Sequence, residues 1–353
     1  MRPLPLRALH ASPSTRFGEV DGAEVVQAFG RLEDEYRAAR EAAGVADLSF
    51  REWLRVAGAN RVSFLHGMVT NDVDGLAEGH TRYAAMLTPK GAMVSDARIW
   101  RRAPDLLLDV GPGLAAKVKA FLDAHLISED AEVQEVTGSW ALIGLYGPRA
   151  RELASAAAGA ELAPPDDAFA AARIGGVEVL AAGADVLGPG GVELAAPREA
   201  LGPVWQRLLE VAAPLGARPI GFEALEVVRV EAGIPRYGRD LDEKTIPLEA
   251  NLQRAISYQK GCYVGQEVIA RATFRGHVNR KLVGLSFQGE PPGPGAELRS
   301  GDRKVGWVSS SVRSPSRGAI GLGFVHRDFT EPGTALAAAP TGAKASVEAL
   351  PFA

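Results

Sequence analysis

One cysteine in 353 residues, Cys262, constrains this chain more than any other feature. No disulfide can staple it, and no zinc or iron–sulfur centre can be built from several of its own thiolates, so burial of apolar surface must carry the fold. A reducing, cytoplasmic setting is expected for such a chain. At about 150 residues per domain the length predicts two or three units, and 46% apolar against 23% charged residues supplies ordinary cores. The longest apolar stretch, Trp140–Tyr146, falls far short of the roughly 18 residues that a membrane helix needs. Residues 1–18 hold Arg2, Arg7 and Arg16 with no acid before Glu19. That bias is shared with transit peptides, but prolines break the stretch and no apolar signal core follows, so a plain tail is expected.

Charge divides the chain. The net charge is -4, which argues against a nucleic-acid backbone as the main partner. Residues 271–353 nevertheless carry +5, marking the C-terminal part as a separate basic unit. Its short β-compatible runs, 281–287, 304–312 and 319–325, are punctuated by Pro291-Pro292-Gly293-Pro294-Gly295 and Ser314-Pro315, which predicts a small antiparallel barrel. Upstream, Val25, Phe29, Leu32 and Tyr36 recur at helical spacing, predicting a helix over 23–43 that Gly44 stops. Short strands are expected at 53–56, 82–87, 93–100 and 106–110, then a helix opening at Pro112. A second α+β set follows: a strand over 140–145, a helix from Pro148, strands over 177–181 and 192–195, and helices over 197–211 and 222–231. Gly188-Pro189-Gly190-Gly191 reads as a hairpin turn rather than a phosphate cradle, and no P-loop, zinc-protease or dinucleotide motif is present.

Three places carry candidate chemistry. In Lys260-Gly261-Cys262-Tyr263-Val264-Gly265-Gln266-Glu267, two glycines flank the lone thiol and a helix opening near Gln266 would aim N–H groups at it. Such surroundings either activate a thiolate, with a pKa in the range of about 3.5 to 7.5, or hold a small buried residue in a tight turn. Glu231 ends a helix before Gly233-Ile234-Pro235, an unfavourable place for a carboxylate without a partner. It pairs with Arg229 or Arg236, or it receives a ligand offering two parallel N–H donors, as a pterin edge does. The six histidines show no ligand spacing, and no protein-built metal site is expected.

Taken together, Gly44-Val45-Ala46-Asp47-Leu48-Ser49, Met86-Leu87-Thr88-Pro89-Lys90-Gly91, the run from Arg229 to Gly238 and Ile246-Pro247-Leu248-Glu249 resemble the glycine-cleavage T-protein (GcvT) superfamily. The run from Lys260 to Glu267 resembles the signature of its YgfZ branch. The resemblance implies an α+β fold of three lobes around a folate channel. These would be a discontinuous central folate-binding domain of 17–50 with 138–270, an inserted α+β domain at 51–137, and a C-terminal antiparallel β-barrel at 271–353. It also implies tetrahydrofolate or a folate derivative as cofactor and a role in iron–sulfur cluster assembly or repair. Iron–sulfur assembly or client proteins would then be partners and Cys262 the reactive thiol.

By the same resemblance Glu231 falls at a substrate-binding glutamate, and Lys260 lies near a substrate-binding arginine, whose planar fork it lacks. Arg236, Arg239, Lys260 and Arg271 are candidate cations for the glutamyl tail of folate, and Tyr237, Tyr258, Trp205 or Trp53 are candidates for stacking on the pterin. The sequence departs from the superfamily at Ser95-Asp96, where T-proteins carry paired acids, one of them catalytic. Asp96 therefore either faces the channel or is a structural acid paired with Arg98. The alternative reading is a tetrahydrofolate-dependent aminomethyl- or methyltransferase using Asp96; a third is a folate-sensing scaffold with a structural Cys262.

Overall fold

Two antiparallel-rich sheets and a barrel, not helices, carry the architecture of the computed structural model, which describes every residue except Asp185, Val186, Pro189, Arg275, Thr341 and Ala353. The chain opens with α1 (Arg7–His10) and the hairpin β1 (Arg16–Val20) and β2 (Ala23–Ala28), then α2 (Leu32–Glu41) and β3 (Gly44–Asp47). It continues through β4 (Glu52–Ala57), α3 (Arg61–Met68), β5 (His80–Leu87), β6 (Met93–Arg101), β7 (Leu106–Val110), α4 (Ala115–Asp123) and β8 (Glu132–Glu135). Next come β9 (Trp140–Tyr146), α5 (Ala150–Ala158), β10 (Phe169–Ile174), β11 (Val177–Gly183), β12 (Val192–Pro197), α6 (Leu201–Glu210), β13 (Arg218–Ile220) and α7 (Phe222–Glu231). After α8 (Gln266–Phe274) the chain forms β14 (Arg280–Phe287), β15 (Glu297–Ser300), β16 (Arg303–Ser314), β17 (Gly318–His326), β18 (Ala335–Ala338) and β19 (Ala343–Glu348).

The first sheet has the order β10-β11-β12-β9-β3-β13, antiparallel except where β13 runs parallel to β3. The second, β5-β6-β7-β4-β8, is antiparallel and drawn wholly from residues 52–135. The closed barrel β14-β17-β16-β15-β18-β19 agrees with the strand and turn pattern read from the C-terminal sequence. Among the described residues, no helix is long and apolar enough to cross a membrane.

The expected helix over 23–43 is instead a strand followed by a helix. Asp21 and Gly22, at φ +48° and +83°, close the hairpin β1–β2, and an Asp-Gly pair between β-compatible runs is the turn signal that the helical spacing obscured. The Glu35 carboxylate then holds the join, accepting from the backbone N–H groups of Phe29 and Gly30, each at 2.7 Å, and of Gly221 at 2.6 Å. Gly188, Gly190 and Gly191 fall between the antiparallel strands β11 and β12, while Pro189 of that turn lies outside the described residues.

Candidate functional site

The facing surfaces of the two sheets do not close on each other. They leave a cavity of about 400 Å³, whose third wall is α7 and the loop that follows it. Strand alternation explains what the second sheet presents there. Tyr83, Arg98 and Asp109 lie in register across β5, β6 and β7, and Asp96 follows on the same face of β6 two residues away. Ser95 points to the opposite face, is fully buried, and donates its hydroxyl to the carbonyl of Asp96 at 2.9 Å.

The first sheet contributes Tyr146 from β9 and Glu193 from β12. Gly144 is bare because the Tyr146 ring lies over it: a Cβ there would sit 2.4 Å from the ring. The tyrosine hydroxyl thereby reaches Glu193 Oε1 at 2.8 Å. Phe222 and Leu225 of α7, with Phe50, add apolar surface.

Charges alternate around this cavity. Arg98 donates to Glu193 Oε2 at 2.5 Å and to Thr81 Oγ1 at 3.0 Å, and its guanidinium stacks over Trp100 at 5.1 Å. Arg51 Nε donates to Asp109 Oδ1 at 2.5 Å. Burial disfavours the charge on Arg51, but Asp109 outweighs it and holds the guanidinium above its ordinary range. Burial pushes the Asp109 carboxyl up to about 6, partly offset by Arg51 and reinforced by Glu193. Asp96 is treated differently: among the described residues its carboxylate is hydrogen-bonded only by the Tyr83 hydroxyl, at 2.7 Å. Burial and the Asp96 charge keep that phenol protonated well above its usual range, so it remains a donor. Arg254 covers the Tyr83 ring at 4.9 Å and also lines the cavity.

Of the residues singled out from sequence, Asp96, Arg236 and Tyr237 line the cavity. Asp96 is not paired with Arg98, whose partner is Glu193. Arg236 is shared between Asp21 at 3.0 Å and Glu226 at 3.5 Å and stacks over Phe222. The Tyr237 hydroxyl donates to the Met93 carbonyl at 3.2 Å and accepts from Lys117 at 2.9 Å.

The structure does not bring Glu231, Lys260, Cys262 or Arg271 into that lining. The Glu231 carboxylate is turned to Arg40, to the Tyr36 hydroxyl at 3.0 Å and to Ser314; its ion-pair partner is Arg40, not Arg229 or Arg236. The Lys260 ammonium donates to the carbonyls of His66, Val69 and Asn71, so it caps the C-terminal end of α3, and burial pulls it down to about 8. Cys262 is exposed rather than filling a buried turn. Arg271 pairs with Glu267 on its own exposed helix face at 2.7 Å. Arg239 is exposed and Arg275 lies outside the described residues. Trp53 and Trp205 are buried in cores, and Tyr258 packs against Phe274.

Sequence reading missed Arg51, Asp109, Tyr146, Glu193 and Arg254. For two of them a signal existed: Asp109 and Glu193 are single acids inside otherwise apolar strands, Leu106–Val110 and Val192–Pro197, where a carboxylate is costly unless it is paired, as Arg51 and Arg98 pair these two.

Known proteins share this architecture. Residues 6–260 match the GCVT N-terminal domain and residues 280–353 the glycine cleavage T-protein C-terminal barrel domain. An aminomethyltransferase of Pelodictyon phaeoclathratiforme is 33% identical over 85% of this chain and 84% of its own length. One from Rubrobacter xylanophilus is 32% identical over 100% and 94%. The crystal structure of glycine cleavage system aminomethyltransferase T from Bartonella henselae superposes with a TM-score of 0.88 at 25% identity, covering 100% of this chain and 98% of that one. These relatives are named aminomethyltransferases, which supports the superfamily expected from the motifs without singling out its YgfZ branch. Their names also give no support to an iron–sulfur role. The chain therefore belongs to the glycine-cleavage T-protein family, whose aminomethyltransferases use tetrahydrofolate.

Proposed function

We propose that this protein binds tetrahydrofolate in the cavity between its two sheets and transfers a one-carbon unit, aminomethyl or methyl, between an amine substrate and that folate, with Asp96 as the catalytic carboxylate. The observation that carries this reading is Asp96 itself, placed in the cavity with a neutral hydroxyl as its hydrogen-bond donor. A carboxylate so held keeps capacity for a proton or for a positive charge developing on a substrate nitrogen. The cavity fits a pteridine in size and chemistry: about 400 Å³, apolar faces from Phe50, Phe222 and Leu225, and carboxylates where N–H edges need acceptors. We assign the N–H edge to Glu193 rather than to Glu231 because Glu193 lines the cavity, with one protein donor on each oxygen, whereas Glu231 lies outside that lining and receives Arg40, Tyr36 and Ser314. Arg254 and Arg236 are the cavity cations suited to the anionic tail. Bound tetrahydrofolate supplies a nitrogen that accepts the one-carbon unit. Asp96 orients the reacting nitrogen and takes the proton that it loses as its new bond to carbon forms, while the donor leaves with the electron pair of the broken bond; Tyr83 holds Asp96 in place, and the apolar surface of Phe50, Phe222 and Leu225 shields the reacting atoms from water. The units that cooperate here are proposed to be 17–50 with 138–270, 51–137 and 271–353.

The test is Asp96→Asn. One-carbon transfer from a methylated or aminomethyl-bearing amine to tetrahydrofolate should fall by about 100-fold or more, the scale of a lost acid–base group. The dissociation constant for tetrahydrofolate should stay within a few-fold. Full turnover by Asp96→Asn would remove the basis for the reading.

A second reading, the YgfZ-like iron–sulfur assembly or repair factor, is favoured by one observation: Cys262 is exposed outside the cavity, where one-carbon transfer has no use for it. Under that reading Cys262→Ala binds folate normally and yet lowers iron–sulfur enzyme activity in cells. Under the transfer reading the same variant turns over as wild type does.

A further inference from the structure

The run from Arg229 to Asp240 contains a second buried carboxylate that the folate reading leaves unused. Asp240 is 5% exposed. Its Oδ2 accepts from Arg229 Nη1 at 2.8 Å and from the backbone N–H of Arg236 at 3.0 Å. Its Oδ1 accepts from the hydroxyls of Ser309 at 2.5 Å and Ser310 at 2.7 Å, both on β16 of the barrel. Arg229 closes the ring, donating to Ser310 Oγ at 2.9 Å, to the Ile234 carbonyl at 2.8 Å and to Glu226 at 2.7 Å.

The two ends of this clasp lie in different environments. Glu226, Arg229, Ile234, Arg236 and Tyr237 line the cavity, whereas none of the lining residues among those described comes from the barrel. A buried network with every donor and acceptor filled has one favoured geometry, because loosening any member strands a charge in a low-dielectric interior. The position of β16 is thus imposed on the backbone of the loop that forms the third wall.

We propose that Asp240 is a positioning residue through which the barrel sets the shape of the folate cavity: Ser309 and Ser310 fix Asp240, and Asp240 fixes Arg229 and the loop from Ile234 to Tyr237. This rests on the reading that the cavity binds folate.

Two variants cut the clasp at opposite ends. Ser309→Ala with Ser310→Ala removes the barrel's hydroxyls and leaves the Arg229–Asp240 pair. Asp240→Asn keeps an acceptor for the serines and faces Arg229 and the Arg236 amide with an NH2 group. Each is measured by calorimetric titration with tetrahydrofolate and by hydrogen exchange of the amides of Arg236, Gly238, Asp240 and Leu241, all hydrogen-bonded within this loop or to Asp240. The serine pair variant should bind about tenfold more weakly, with exchange at those four amides accelerated at least tenfold and protection in the central strands of both sheets unchanged. Asp240→Asn should do the same, and joining it to the serine changes should add little, since both act through one element. Wild-type affinity together with wild-type exchange in the serine variant overturns the proposal. If the wild-type protein binds no tetrahydrofolate, the functional reading fails instead, and the exchange comparison still decides whether the barrel holds the loop. Should Asp240→Asn not fold, the serine variant decides alone.

Discussion

Glu231→Ala should cost stability and leave folate binding intact. The Glu231 side chain is 3% exposed and receives Arg40, the Tyr36 hydroxyl and Ser314, tying α7 to α2 and to the barrel. Removing one member of a buried ion pair costs about 3–5 kcal/mol, and a hydrogen bond to a charged group contributes about 1.5–3. The Arg40 side chain is 30% exposed, so it can turn to water once its partner is gone, which puts the expected loss at the lower end, about 3 kcal/mol. At about 2.1 cal/mol/K per residue, 353 residues unfold with an entropy of about 0.7 kcal/mol/K, so a single transition should fall by about 4 °C. Scanning calorimetry reads that shift, and calorimetric titration with tetrahydrofolate on the same protein should give a dissociation constant within threefold of wild type. Glu193→Gln is the control and should weaken binding at least tenfold. A Glu231→Ala protein with unchanged melting and tenfold weaker binding would refute the reasoning and return the pterin edge to Glu231.

Two other outcomes are expected. Because burial raises Asp109 from the unfolded carboxyl range of about 3.9 to about 6, the native state holds more protons than the unfolded chain between those values. Stability therefore falls as pH rises through that window: relative to Asp109→Asn, wild type should lose up to about 3 kcal/mol between pH 4 and pH 7 in urea titrations, and a constant difference would contradict the buried, raised carboxyl. Gly265 has φ +85° and a Cβ there would meet the Thr88 carbonyl at 2.6 Å, so Gly265→Ala should destabilise by about 2 kcal/mol or more in the same assay; a change near zero would mean that the loop before α8 relaxes freely.

What the sequence made legible was whatever rests on local pattern. The barrel declared itself through short strands between Pro- and Gly-rich turns, and α7 through its helical period, because both are settled by neighbours in the chain. The hairpin β1–β2 was lost because β2 is buried on both faces, which erases the two-residue alternation and leaves a spacing that mimics a helix. Of the residues lining the cavity, Asp96 was legible from the superfamily resemblance, Arg236 as an available cation and Tyr237 as an available aromatic face. Lys260 was not, because its sequence shows only a cation beside a glycine; that the cation would end on the carbonyls of His66, Val69 and Asn71, at and just past the end of α3, depends on a loop closing across about 190 residues of chain. Glu231 misled for a related reason. A carboxylate at a helix end does need a partner, but the partner comes from α2, whose distance in the chain hides it.

The serine beside Asp96 weighs less against one-carbon transfer than the sequence alone suggested. Successive residues of a strand face opposite ways, so an acid at position 95 would enter the packed side of β6, not the cavity, while position 96 keeps its carboxylate toward the cavity. A serine in place of the first acid therefore changes what supports β6 and leaves the cavity face as it was. Cys262 lies outside that cavity, on the loop leading to α8, and shares none of the hydrogen bonds that hold Asp96, Glu193 or Asp109. On the proposed reading the thiol's role is separable from folate binding, so Asp96→Asn and Cys262→Ala act on different parts of the molecule, and a chain in which both abolished the same activity would require a coupling between loop and cavity that no hydrogen bond of these residues supplies among the described residues.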